Sequence, residues 1–210
     1  MLIIAIPKSA STSLLYTLGK ELNFPAEQIF GKASSSNSFQ YLAKLHSDIG
    51  NYDMDFFEKV LHPYKIFKQH IPPTENNVNL LRGSKKVVLL REVNDIILAY
   101  KRGANAEVHN LLKGFDKSWS DQKWLSLAKE AGLYTELEQF FNLWKKEEGL
   151  NTLIIDYNDL IKNPAIVVNQ VLRFFEYPLQ LKSVNLVKAR YSRVSGLRKI
   201  FRKFRKKFNV

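Results

Sequence analysis

The chain has no cysteine among its 210 residues, which excludes disulfides, thiol catalysis, iron–sulfur clusters and cysteine-ligated zinc. Stability must come from packing. It also lacks any uninterrupted run of about 18 uncharged apolar residues, so no segment reads as a transmembrane helix. The opening Met1-Leu2-Ile3-Ile4-Ala5-Ile6 is too short for the apolar core of a secretory signal and has no basic stretch before it. The expectation is a soluble, cytoplasmic protein. A third absence is local: residues 182–210 contain no Asp or Glu.

That last absence explains the charge. The whole chain holds 32 Lys+Arg and 20 Asp+Glu, a net of +12. Residues 182–210 hold 11 of the basic residues and none of the acids, which leaves 21 against 20 in residues 1–181. The basicity is therefore a tail property, and a nearly neutral body does not predict specific nucleic-acid binding. Hydrophobic residues make up 45% and aromatics 12%, enough for one sizeable core, so the chain divides into a domain over 1–181 and a basic segment over 182–210.

Short apolar runs at 2–6, 64–68, 86–90 and 152–155 have the length and bounding polar residues of buried parallel strands. Between them, 12–22, 38–47, 54–61, 94–104, 136–147 and 165–175 carry apolar residues near a 3.6 period, the last entered through Asn163-Pro164. Alternating strand and helix predicts an α/β sandwich of three layers, a central mainly parallel sheet flanked by helices. Residues 32–38, with three consecutive serines, read as a loop.

The first turn carries the chemistry. Pro7-Lys8-Ser9-Ala10-Ser11-Thr12-Ser13 follows the first strand and runs into Leu14-Leu15, so a strand, a tight hydroxyl-rich turn and a helix N-terminus meet at one point. Backbone N–H groups and the helix dipole aimed there suit a phosphate. The spaced glycines of a Walker loop are missing, which disfavours an ordinary nucleotide kinase. Taken alone, such hydroxyl residues equally serve as a helix cap with no ligand.

The segment resembles the 5'-phosphosulfate loop of the sulfotransferases that use 3'-phosphoadenosine 5'-phosphosulfate (PAPS). Three further segments match in order. Phe67-Lys68-Gln69-His70-Ile71-Pro72 is similar to the family's Lys-Thr-His-Leu-Pro, with the same lysine–histidine spacing. The run from Val87 to Arg102 resembles its 3'-phosphate segment, with Arg91 ending a strand. Leu153 to Leu160, followed by Asn163-Pro164 and Phe174 to Leu179, is similar to its Tyr-Glu-Asp-Leu strand and helix. The resemblance covers about residues 1–180 and implies a P-loop-NTPase-like fold.

It also implies roles. Lys8, Ser9, Ala10, Ser11, Thr12 and Ser13 would hold the 5'-phosphosulfate, Arg91 the 3'-phosphate, and His70 would act as general base with Lys8 and Lys68 neutralising charge. PAPS, released as 3'-phosphoadenosine 5'-phosphate (PAP), is the implied cofactor, with no metal required. The sequence departs from the family at Ala10, where glycine is usual, at Ala99, where a serine eight residues after the arginine is usual, and at Ser13, where cytosolic members have tryptophan. The acceptor is open: a small molecule, a glycan or a lipid, against aromatic walls that include Tyr41, Tyr52, Phe56 and Phe57. A P-loop-like nucleotide or small-molecule kinase and a non-catalytic anion- or membrane-binding protein on a degenerate form of the same fold are the alternatives.

Two claims fall on the tail. Residues 190–196 resemble the basic segment that closes the family's 3'-phosphate site, which nominates Arg193. Leu197, Ile200, Phe201, Phe204 and Phe208 gather on one face of a basic amphipathic helix. It would either pack on the domain or hold the protein peripherally on an anionic membrane. His46, His62 and His109 have no metal-like spacing, and Trp119, Trp124 and Trp144 read as core or pocket wall.

Overall fold

A computed structural model describes residues 1–28, 39–45, 64–103 and 115–188. Five strands, β1 (Leu2–Ala5), β2 (Ala26–Gln28), β3 (Ile66–Gln69), β4 (Lys86–Leu90) and β5 (Thr152–Asp156), pair parallel throughout in the order β2-β3-β1-β4-β5. Eight described helices accompany them: α1 (Ser11–Leu22), α2 (Gln40–Leu45), α3 (Glu75–Leu81), α4 (Val93–Gly103), α5 (Asp121–Glu130), α6 (Leu133–Lys146), α7 (Tyr157–Lys162) and α8 (Pro164–Phe174). The expected three-layer α/β sandwich is present, and its sheet is all parallel rather than mainly so.

The two-residue period of a strand divides the core. Leu2, Ile4 and Ile6 face one layer with Phe67, Val88 and Leu90, packed against Ile96, Ile97 and Tyr100 of α4, Trp124 of α5 and Phe140 and Trp144 of α6. Ile3 and Ala5 face the other with Ile66, Val87 and Leu89, packed against Leu14, Leu15 and Leu18 of α1 and Val167, Val168 and Val171 of α8. Burial on both faces leaves β1 and β4 entirely apolar apart from Lys86. Its ammonium is satisfied by donating to the carbonyls of Leu81 (3.0 Å) and Ser84 (3.3 Å).

Expected boundaries shift by one to three residues, the largest at the start of α6, and four elements were not anticipated: β2, α3, α5 and α7. Gly19 lets α1 lie against β2, because a Cβ there would stand 2.8 Å from that of Ala26. Residues beyond α8 are tied back to the fold. Asn169 exchanges a reciprocal pair of 2.8 Å hydrogen bonds with Leu181, and the Val187 amide donates to the Thr17 hydroxyl at 2.9 Å. Arg193, the 190–196 and 197–210 segments, residues 32–38, the 54–61 helix, and His46, His62, His109, Tyr52, Phe56 and Phe57 lie outside the described residues. Among the described residues no helix is long and apolar enough to cross a membrane.

Candidate active site

The strand order places the C-terminal ends of β3, β1 and β4 side by side, so the residues that follow each strand meet in one crevice, where open α/β sheets bind ligands. After β1 the chain turns sharply. Lys8 (φ 60°) and Ala10 (φ 61°, ψ 19°) both adopt the left-handed conformation that non-glycine residues seldom take. Ser9 between them is fully buried, and its hydroxyl donates to the Ile6 carbonyl at 2.6 Å, so its side chain closes the turn. Ala10 is the helix-capping residue of α1 and offers no side-chain cap, while no acid occupies the first turn. The first amides of α1 have no partner within the helix, and the half-buried Thr12 and Ser13 flank them. Ser11 is buried.

After β3 comes His70, 5% exposed. Its Nδ1 donates to the Ala5 carbonyl at 2.6 Å, which fixes the tautomer and leaves the lone pair on Nε2. Lys68 donates its ammonium to that Nε2 at 3.2 Å. Burial, and next the positive charge of Lys68, push the imidazole well below its ordinary 6.5, although the Ala5 hydrogen bond acts the other way. The charge of Lys8 reaches His70 as well. Burial alone pushes the Lys8 ammonium down to about 8, and among the described residues no carboxylate pairs with it. It lies 5.1 Å from the centre of the Tyr100 ring. The residues just beyond His70 are held firmly: Trp144 donates its indole N–H to the Ile71 carbonyl (2.9 Å), and buried Asn77 donates to the Pro72 carbonyl (2.8 Å).

After β4 comes Arg91, 8% exposed. Its Nη1 donates to the Lys8 carbonyl at 2.8 Å, its Nη2 lies 3.8 Å from an Asp95 carboxylate oxygen, and its Cζ sits over the Tyr157 ring, 3.9 Å from the ring centre. Its Nε is buried and has no hydrogen-bond partner among the described residues. Ala99 brings no polar group to this region.

Lys8, Lys68, His70 and Arg91, nominated from three separate segments, thus share one crevice with the start of α1. Two neighbours were missed. Tyr100 extends the buried stripe Val93, Ile96, Ile97 of α4, and Tyr157 directly follows β5; each sits where a strand end or helix stripe delivers it to the site. Trp124 and Trp144 are core residues, as expected. Glu136 of α6 was not anticipated either. Its carboxylate accepts the amides of Tyr41 (2.6 Å) and Leu42 (2.7 Å) and so fastens α2 beside the site-bearing layer.

The family model for the sulfotransferase domain matches residues 1–199. The chain belongs to the sulfotransferase family. Solved structures of like fold include a mouse sulfotransferase complexed with PAP, at 16% identity and TM-score 0.56, covering 86% of this chain and 59% of that one. Retinol dehydratase in complex with androsterone and the inactive cofactor PAP aligns at 18% identity and TM-score 0.52, over 85% of this chain and 60% of that one. A sulfotransferase from Alicyclobacillus acidocaldarius aligns at 13% identity and TM-score 0.52, over 97% of this chain and 89% of that one. At these identities the likeness is one of fold, and the chain spans about six tenths of the length of the first two. Among curated protein sequences none matches it significantly.

Proposed function

We propose that the chain transfers a sulfuryl group from PAPS to an acceptor hydroxyl or amine, with His70 as the general base. The observation that carries this reading is the His70 arrangement: Nδ1–H anchored on Ala5, the lone pair on Nε2, and the Lys68 ammonium beside it. A buried imidazole held neutral near pH 7 accepts a proton without first having to lose one. Two features of the crevice fit the donor. Among the described residues Lys8 is a half-buried ammonium with no carboxylate beside it, and the buried Arg91 Nε–H has no hydrogen-bond partner.

In this reading Lys8, Ser11, Thr12 and Ser13, with the amides of Ser9 and Ala10, hold the 5'-phosphosulfate, and Arg91 grips the 3'-phosphate, closed over by Arg193. PAPS supplies the sulfuryl group and leaves as PAP. Lys8 and Lys68 neutralise charge where it develops, an effect that needs fixed cations more than covalent chemistry. An anion that draws the Lys68 ammonium frees the His70 lone pair, and His70 then takes the acceptor's proton on Nε2. The retinol dehydratase structure holds androsterone, which supports a small-molecule acceptor; a glycan or lipid hydroxyl suits the same base. The protein works in the cytoplasm as a domain over 1–181, and the 182–210 segment adds the cap and a face for an anionic membrane.

Calorimetry with PAP, ATP·Mg²⁺ and anionic vesicles tests the reading. PAP is expected to bind in preference to ATP·Mg²⁺. Preference for ATP·Mg²⁺ selects a kinase, and retention on vesicles alone selects a non-catalytic anion-binding protein.

A further inference from the structure

The Arg91 guanidinium is occupied in the chain by itself. It reaches across 83 residues of sequence to donate to the Lys8 carbonyl at 2.8 Å. That carbonyl belongs to the first of two left-handed, non-glycine residues, Lys8 and Ala10. Such a segment departs from its twist unless something holds it. Ser9 closes it from inside by donating to Ile6, and Arg91 is the long-range hold that reaches it from the neighbouring strand. Arg91 is itself fixed. Its Cζ lies over the Tyr157 ring, 3.9 Å from the ring centre, and Asp95, in the first turn of α4, stands 3.8 Å from Nη2. Its flanking Leu90 is in register with Asp156, so the strand pairing that sets Tyr157 also sets Arg91.

We infer that Arg91 is a positioning residue that holds the loop after β1 in its ligand-ready shape before any ligand arrives, with Tyr157 as its splint. This rests on the reading of that loop as the donor's 5' site and adds to it. The grip on a 3'-phosphate uses the N–H groups that Nη1 leaves over. One guanidinium then ties the two ends of the donor site together, and a planar group is required, because an ammonium cannot donate in two directions from one rigid plane.

The two roles separate experimentally. A residue that only grips the 3'-phosphate leaves the free loop unchanged when it is removed, and leaves untouched the affinity for a ligand without that phosphate. A positioning residue alters both. Hydrogen exchange is measured on the ligand-free full chain for the peptide covering 7–14, in the wild type, Arg91→Lys and Tyr157→Leu. Calorimetry on the same proteins uses adenosine 5'-phosphosulfate, which lacks the 3'-phosphate. Exchange of the loop amides is expected to rise about tenfold or more in Arg91→Lys, the factor that follows from losing one charge-assisted hydrogen bond, and by a smaller factor in Tyr157→Leu, which removes the ring against the guanidinium but not its hydrogen bond, with β1 and β4 peptides unchanged as the check on folding. Affinity for adenosine 5'-phosphosulfate falls by a similar factor.

Wild-type exchange and unchanged affinity for this probe in both variants, with affinity for PAP alone reduced, overturn the inference. If the wild type binds neither nucleotide, the proposed donor site fails. The exchange measurement then still decides whether Arg91 shapes the loop.

Discussion

Replacing Ala10 with glycine should make the protein more stable, although glycine inside a helix costs stability. Ala10 sits at φ 61° and ψ 19°, where a Cβ crowds the following carbonyl, a cost of about 1–2 kcal/mol for a non-glycine residue. Glycine removes that cost but gives the unfolded chain more freedom, which takes back about 0.4–1 kcal/mol. Capping favours the change, since alanine makes no side-chain cap here and glycine ranks above alanine at that position. The balance is a gain of roughly 0.5–1 kcal/mol, and at about 2–4 °C per kcal/mol for a domain of this size Tm rises by about 1–4 °C. Differential scanning calorimetry measures it, with Ala10→Val as the opposite perturbation, because a β-branched residue tolerates this conformation worst. A lower Tm for Ala10→Gly, or no loss for Ala10→Val, would refute the left-handed turn and with it the loop geometry on which the site rests.

Other perturbations test the electrostatics and the frame. The pH profile of kcat/KM reports groups of the free protein. Its acid limb should lie below 6.5, because burial and Lys68 keep His70 from protonating in the neutral range; a limb at or above 6.5 contradicts that assignment. Activity should fall again as pH rises through about 8, where Lys8 loses its charge, and this limb should move upward in kcat, because a bound anion holds the proton on. Glu136→Ala strands the amides of Tyr41 and Leu42, each hydrogen-bonded to a charged acceptor at ~1.5–3 kcal/mol, so Tm should drop by several degrees; an unchanged Tm means the carboxylate is not what fastens α2.

Much of this architecture was legible because β1 and β4 are continuous apolar runs and α1, α4, α6 and α8 carry their apolar residues on one face. The elements that escaped reading have physical reasons. β2 is three residues, Ala-Glu-Gln, with no β-branched side chain, and it exists because Gly19 lets α1 pack over it beside β3. α3 and α5 announce themselves through Thr74 and Ser120, whose hydroxyls accept the amides of Asn77 and Lys123, but their short, polar stretches mask the period. At the site, residue types after strand ends could be read; partners could not. Nothing in the local sequence pairs Arg91 with Lys8 or Tyr157, Glu136 with Tyr41, or Trp144 with Ile71. Those contacts arise from the order β3-β1-β4-β5 and from α6 crossing behind it. Ala10 stands where the resembled family usually has glycine, and the chain adopts the positive φ there at alanine.

The most direct test of the central claim follows labelled sulfuryl transfer from PAPS to a mixed library of acceptor hydroxyls and amines, in the wild type and in His70→Gln, with PAP affinity measured on both proteins. The account predicts labelled product from the wild type and a loss of about 10²-fold or more in His70→Gln, the range for removing a general base, with PAP affinity within a few-fold. Wild-type rates in His70→Gln, or no transfer by a wild type that binds PAP, would contradict it.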